Sequence, residues 1–260
     1  MNIKRIKWIR RITSLFVAVA LVLGTTPLEG IKVNAASQSY TSGDYTYTLS
    51  ENDYGDNVAT ITGYNGTEAS VIVPNTIDGY SIIGIEDNTF SGKNTLVSVE
   101  MPDSIVRIGD CAFSECKKLT NVNLPKSLVK LERMAFYNCK GITSIEIPKT
   151  LETGGSTAWR KGPFTGCDNL KNVTFEEGTT RVADDLFYKC SSIERISIPE
   201  TVTEIEDSAF EGCENLTTVE MSDAITRIGD CAFSECKKLT NVNLPKSLVK
   251  LERMAFYNCK

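Results

Sequence analysis

The chain has 260 residues, nine Cys, no His and a formal net charge of −5. The absence of His excludes Ser-His-Asp triads, Cys-His dyads and zinc sites that need imidazole. The negative charge argues against nucleic acid as a partner, because phosphate binding needs a basic face.

The N-terminal segment has the pattern of an export signal. Residues 1–11 contain five Lys or Arg and no acid, and an apolar stretch follows at 12–24 that is short for a membrane-spanning helix. Small residues at Val33 and Ala35 suit signal peptidase, so we predict a secretory signal peptide at 1–35, with an uncleaved membrane anchor as the alternative.

Cleavage of the signal peptide makes the protein more acidic, which affects the kinds of partner that it can bind. The mature chain retains 22 basic and 32 acidic residues, a net charge of −10. We therefore expect a secreted or cell-surface protein that binds no nucleic acid and has no integral membrane span after cleavage.

The rest of the chain is a repeat array, which self-similarity reveals. Residues 107–140 recur without change as 227–260. Phe recurs every 23 or 28 residues, at Phe90, Phe113, Phe136, Phe164, Phe187, Phe210, Phe233 and Phe256. Cys follows three residues after each Phe except the first, where Lys93 stands instead.

Each repeat predicts one short strand. In Leu119-x-x-Val122-x-Leu124-Pro125 the apolar residues alternate, which is typical of a strand with one buried face, and Pro ends it because Pro cannot donate to a strand ladder. A second apolar pair, Leu128-x-x-Leu131, follows. The equivalent strand cores are Val99/Met101, Ile145/Ile147, Val173/Phe175, Ile196/Ile198, Val219/Met221 and Val242/Leu244.

The motif Leu-x-x-Val-x-Leu-Pro-x-x-Leu-x-x-Leu-x-x-x-Ala-Phe-x-x-Cys at 119–139, with its seven relatives, resembles the BspA-like (Treponema-type) leucine-rich repeat family. The resemblance covers 69–260. It implies a repeat solenoid, a curved leucine-rich-repeat array of about eight coils of 23–28 residues with short parallel strands. Such arrays occur on exported or surface proteins, where they serve adhesion and protein binding. The resemblance implies no catalytic residue, cofactor or metal.

The two ends of the array differ. Residues 36–68 lack the repeat slots, and we expect a β-rich N-terminal cap there. The chain stops one residue after a Cys slot, although terminal repeats are normally polar and atypical. We therefore expect the array to be truncated at its C-terminus rather than to end naturally.

The nine Cys have three possible roles. One Cys per coil beside Phe is typical of a buried packing column. Export would permit disulfides, for which Cys111 with Cys116 and the copy Cys231 with Cys236 are the best candidates, although side chains stacked in register have poor disulfide geometry. Metal binding or catalysis is the third possibility, and we expect packing.

Two sets of residues are candidates for partner binding. The longer repeat contains the segment Gly154–Gly162 with Trp159 and Arg160, a typical anchor pair, although the favoured interpretation is that Trp159 covers the wider coil. Residues that alternate with the buried strand positions would form polar rows, which bind an extended partner or simply face solvent. The candidates in these rows are Glu100, Asn123, Glu146, Arg195, Glu220 and Asn243.

These observations favour a secreted or cell-surface binding protein, of bacterial type, that contacts proteins of a host or neighbouring cell. The alternative is a structural repeat module of a larger exported protein whose enzyme or wall-anchoring domain lies beyond residue 260. An enzyme in this chain is the weakest hypothesis, since no paired acids depart from the repeat pattern.

Overall fold

A computed structural model describes residues 38–154 and 161–260. Within these ranges the chain forms 18 β-strands and no helix. The coils stack through parallel strands, which confirms the predicted repeat solenoid. The predicted signal peptide at 1–35 lies outside the described residues, and so do Trp159 and Arg160.

The described chain begins with an antiparallel meander. Its strands are β1 (Ser39–Ser42), β2 (Tyr45–Glu51) and β3 (Asn57–Tyr64). β3 pairs in parallel with β6 (Tyr80–Ile85), which also pairs antiparallel with β5 (Thr76–Ile77). Because Ala59 and Ile61 of β3 are fully buried, the meander continues the core of the first coil.

The predicted strand of each repeat forms the first ladder. Its strands are β4 (Ser70–Ile72), β7 (Ser98–Glu100), β9 (Asn121–Val122), β11 (Ser144–Ile147), β12 (Asn172–Phe175), β14 (Arg195–Ser197) and β16 (Thr218–Glu220). The pairing is interrupted, and it gives three separate sheets, β4-β7-β9, β11-β12 and β14-β16.

One predicted strand is wrong. Residues 241–244, which include Val242 and Leu244, form no strand, although the identical residues Asn121 and Val122 form β9. β9 pairs with β7, whereas 241–244 pair with no strand among the described residues. A two-residue strand exists only through its ladder hydrogen bonds, so sequence alone does not specify it.

A second ladder passes through each coil at the position of the second apolar pair. After β6 come β8 (Arg107–Ile108) and β10 (Lys130–Leu131), and Lys130 bridges to Thr153. Beyond the longer repeat the ladder resumes with β13 (Arg181–Val182), β15 (Glu204–Ile205), β17 (Arg227–Ile228) and β18 (Lys250–Leu251). The sequence analysis recognised the buried apolar residues here but not the strands.

The slot Phe residues form one stacked column through the core. Successive rings from Phe90 to Phe256 lie 4.9–6.0 Å apart between centroids, with interplanar angles of 3–17°. Tyr64 of β3 continues the column, with its ring 5.1 Å from that of Phe90. The spacing matches the separation of neighbouring β-strands, so the column and both ladders share one repeat distance.

The slot Cys residues form a second column beside the first. Each thiol donates to the backbone carbonyl of the Phe in the preceding coil, with S···O distances of 3.0–3.4 Å. In the first coil Lys93 replaces Cys, and its Nζ donates to the Gly66 carbonyl at 3.0 Å. The slot therefore supplies a donor as well as a small apolar volume.

All nine Cys are free thiols, so the disulfides considered for Cys111 with Cys116 and for Cys231 with Cys236 are not formed. Burial raises the pKa of Cys116 to about 11 and that of Cys213 to about 12. Cys111 lies outside the column, in a turn with φ of 55°. The Cys column confirms the packing interpretation.

Each coil also requires a left-handed residue two positions after its Phe. The φ angle there is positive in all eight coils, at Gly92, Glu115, Asn138, Gly166, Lys189, Gly212, Glu235 and Asn258. This conformation costs a residue with a Cβ about 1–2 kcal/mol, which Gly avoids. Lys189 and Glu235 are therefore strained residues at positions that Gly occupies in other coils.

The two identical segments, 107–140 and 227–260, lie in different surroundings. Leu131 is fully buried whereas its copy Leu251 is 49% exposed, and Leu124 is 9% exposed whereas Leu244 is 49% exposed. Residues 141–154 form the next coil over the first segment, and its Thr150 hydroxyl donates to the Leu128 carbonyl at 2.8 Å. Burial in this solenoid is thus set by the neighbouring coil as much as by the coil's own sequence.

We expect thiol labelling to separate the two kinds of Cys. At mildly alkaline pH, a water-soluble disulfide reagent should label the partly exposed Cys111 and Cys259 faster than the six fully buried thiols of the column, because complete burial excludes the reagent and keeps those thiols protonated. In denaturant without reductant, all nine thiols should react, and a count below nine would demonstrate disulfides in the purified protein.

The strained turn gives a second prediction. Lys189→Gly should raise the free energy of unfolding by about 1 kcal/mol, because Gly adopts positive φ without steric cost. Lys189→Ala is the matched control, since it removes the same side chain but keeps a Cβ, and it should give no gain. Urea unfolding followed by circular dichroism measures both, and equal midpoints for the two variants would contradict the strain argument.

Candidate functional site

The outward side chains of the first ladder form a continuous polar face. Strand register aligns Ile72 with Glu100, Glu146 with Thr174, and Ser197 with Glu220. These pairs define one row of side chains that crosses the coils, which we call the outer row. Its members are exposed: Ile72, Glu100, Asn123, Glu146, Thr174, Ser197, Glu220 and Asn243.

A parallel row lies two residues earlier in each strand. Arg195 lies there opposite Thr218, and Asn121 opposite Ser98. Arg195 is the single charged residue of this row, whereas the outer row carries three Glu and no cation. The polar face, defined as these two rows together, is therefore weakly acidic.

The polar face contains a groove where the first ladder is interrupted. β9 and β11 belong to neighbouring coils but are not paired, and between them lies a groove of about 480 Å³. Its lining combines apolar residues with charged residues: Met101, Asp103, Val122, Asn123, Leu124, Lys126, Glu146, Pro148 and Glu176.

The residue after Pro makes different contacts in the two coils beside the groove. The Lys126 amide donates to Asp103 Oδ1 of the preceding coil at 3.0 Å. The Lys149 amide instead donates to Glu176 Oε2 of the following coil at 3.1 Å. Both bonds join flanking coils, and neither spans the opening between β9 and β11.

The coils stay together elsewhere, which limits the groove to the polar face. The rings of Phe136 and Phe164 remain stacked at 5.4 Å, and the Thr150 hydroxyl donates to the Lys126 carbonyl at 2.8 Å. Val122 and Leu124, which are 8% and 9% exposed, form an apolar floor under this opening.

Three carboxylates and the ammonium of Lys126 line the groove around this floor, and a second ammonium, that of Lys149, lies beside one of the carboxylates. The Lys149 amide lowers the pKa of Glu176, chiefly by its hydrogen bond, and Lys149 Nζ lies 3.5 Å from Glu176 Oε1. Asp103 is held by the Lys126 amide. Within the described residues, no hydrogen bond or ion pair engages the carboxylate of Glu146. The groove thus presents two fixed carboxylates and one that is available to a ligand.

The sequence-predicted candidates are distributed along the polar face. The groove brings together Asn123 and Glu146, and Glu100 lies in the preceding coil. Arg195, Glu220 and Asn243 lie in later coils of the same face, away from the groove. Trp159 and Arg160 remain outside the described residues.

Sequence reasoning missed Asp103, Lys126 and Glu176. Asp103 and Lys126 directly follow the Pro slot, where charged residues recur in the repeats, and Glu176 occupies the slot itself in place of Pro; these are the signals that could have drawn attention to them. The interruption between β9 and β11 has no sequence signature.

Two other kinds of site were sought among residues 38–154 and 161–260. In those ranges no three or more Cys, Asp or Glu side chains are grouped so that they could hold a metal ion. The same ranges contain no helix with the length and apolarity needed to cross a membrane.

Comparison with known proteins gives one family match. A family model described as BspA type leucine rich repeat region, in six copies, matches residues 83–163 and 160–260. These ranges cover most of the chain and include the groove. No curated protein matches the sequence.

Two solved structures share the fold. A leucine-rich repeat protein of T. pallidum has a TM-score of 0.58 and 24% sequence identity, over 75% of this chain and 88% of that one. A leucine-rich repeat protein from Bacteroides ovatus has a TM-score of 0.53 and 22% identity, over 84% of this chain and 62% of that one. At this identity the likeness concerns the fold alone.

Proposed function

Because the chain belongs to the BspA-type leucine-rich repeat family, we propose that it is an exported protein that binds other proteins through the polar face of its first ladder. The partner is a protein of a host or neighbouring cell surface, and the binding serves adhesion. Leucine-rich repeat modules generally mediate contacts between proteins, which supports the general part of this proposal.

The observation that carries the proposal is the polar face itself. Its two rows hold Asn, Ser, Thr and Glu side chains in register across the coils. Side chains of this kind donate and accept hydrogen bonds, and the stacked coils fix their positions before a partner arrives. Preorganisation of this kind lowers the entropic cost of association.

The proposal includes no catalytic step. The sequence has no His, and the carboxylates beside the groove are held by backbone amides or lie exposed, without a neighbouring nucleophile to activate. Binding requires only the arrangement of side chains already described.

Export rests on the N-terminal sequence. Five cationic residues, an apolar stretch and small residues before Ala36 together make a signal peptide. The boundaries that we propose are a signal peptide at 1–35, a β-rich cap at 36–68 and the repeat array from 69.

Expression in a bacterial host tests export. The protein should be recovered outside the cytoplasm with Ala36 as its first residue, as read by N-terminal sequencing. Ala35→Leu should block cleavage, because signal peptidase requires a small residue at that position. Cytoplasmic retention of the unchanged chain with Met1 intact would refute this part of the proposal.

A pair of steric variants tests binding through the polar face. Asn172→Tyr with Thr174→Tyr adds two neutral rings to the exposed side of β12. We expect this variant to reduce capture of surface proteins at least about tenfold, because a steric clash with the partner should weaken the binding free energy by roughly 1.4 kcal/mol or more. The matched control, Thr180→Tyr with Thr203→Tyr, alters exposed residues beside the second ladder.

The measurement is binding of the purified mature protein to proteins extracted from host and bacterial cell surfaces, quantified for each captured protein. A partner that is lost with the β12 variant and retained with the control supports the polar face. Equal losses with both variants, or none with the β12 variant, would exclude the polar face as the binding surface.

A further inference from the structure

We propose that the groove between β9 and β11 binds a lysine or arginine side chain from an extended, basic segment of the partner. This inference rests on the proposed function and narrows it, since it names the chemistry of the segment that the polar face recognises.

The floor and rim of the groove match the two parts of a basic side chain. Val122 and Leu124 give an apolar floor, and Asp103, Glu146 and Glu176 give an acidic rim. Lysine and arginine have an apolar stem that packs on such a floor and a charged end that reaches a carboxylate. An acidic ligand would meet repulsion here, and a purely apolar one would leave the carboxylates without a partner.

The rim carboxylates are prepared for a cation. Backbone amides hold Asp103 and Glu176 in place, at 3.0 and 3.1 Å from their oxygens, so they lose little freedom when a ligand binds. Glu146 lies exposed in β11 without a hydrogen bond or ion pair among the described residues, and it is the carboxylate best able to turn toward the ligand. Lys126 is the one cation of the lining, and it competes for the same acids.

The spacing of acidic residues in the outer row predicts the form of the segment. Glu100 and Glu146 lie two coils apart, and because the opening between β9 and β11 lies between them, their separation is at least about 10 Å. In the polyproline II conformation, residues three positions apart lie on the same face and are separated by about 9 Å. A segment in this conformation with a basic residue at every third position, lying across the strands, would place one cation in the groove and the next on the side of Glu100.

The identical segments of the chain supply a matched control for Lys126. Lys246 has the same neighbours in sequence, and its amide donates to Asp223 Oδ1 at 2.9 Å as that of Lys126 does to Asp103. Only Lys126 lines the groove. Glu152 is the corresponding control for Glu146, since it is an exposed Glu of the same coil that lies beside the second ladder and not on the polar face.

The test is binding of a labelled nonapeptide with lysine at every third position and threonine elsewhere, measured by fluorescence anisotropy at low and moderate salt. Glu146→Gln should weaken binding at least about threefold, because it removes one ion pair. Lys126→Ala should strengthen binding by a similar factor, because it removes the competing cation. Glu152→Gln and Lys246→Ala should each leave the affinity within about twofold of the unchanged protein.

Two results would overturn the proposal. Equal effects of Glu146→Gln and Glu152→Gln would mean that the peptide responds to net charge rather than to the groove. Equal affinity for a peptide with glutamine in place of lysine would mean that no cation is recognised. If either result occurs while the β12 variant still loses a captured protein, recognition of a basic segment by the groove is rejected. The proposal that the protein binds partners through its polar face is then retained.

Discussion

The constraint on which this structure depends is that a single coil cannot bury its own apolar residues. Each coil contributes one Phe to a column whose rings lie 4.9–6.0 Å apart, and each ring from Phe90 to Phe233 has both faces covered by neighbouring rings. Burial of such a side chain contributes about 1.5–3 kcal/mol, and the ring contact adds about 0.5–1.5 kcal/mol. These contributions exist only when coils are stacked in register.

The Cys slot follows from the same constraint. A tightly stacked column leaves little room beside each Phe, and the Phe carbonyl of the preceding coil needs a donor. A thiol provides both a small apolar volume and a weak donor, and its S···O distance in the fully buried coils stays within 3.0–3.4 Å. In the first coil Lys93 supplies the hydrogen-bond donor instead, because its Nζ reaches the carbonyl of Gly66. The seven slot Cys thus serve packing in this structure, and none of the nine Cys forms a disulfide.

The Phe column and the first ladder could be predicted from the sequence. The Phe residues recur at a fixed position in each repeat, and the strands of the first ladder show a clear alternation of apolar and polar residues. The second ladder could not, since strands of two residues such as Lys130–Leu131 show no period and exist through pairing with neighbouring coils. The segments 107–140 and 227–260 show this limit most directly. They are identical, yet Leu131 is fully buried and Leu251 is 49% exposed, so no rule that reads local sequence alone can assign burial to both.

The same limit explains why the sequence predicted the polar face but not its groove. Alternation places Asn123 and Glu146 outward, and that is a local property of each strand. The groove between them depends on whether β9 and β11 pair, which is decided between neighbouring coils and not within one strand. A solenoid built of like repeats presents nearly the same surface at every coil, and a partner that recognises only the repeat has no defined position along it. The groove breaks that uniformity, because it gives this location a depth and a charge that the regular rows do not have. A groove of this kind therefore sets the register of an extended partner, while the regular rows on either side supply contacts that are similar in every coil.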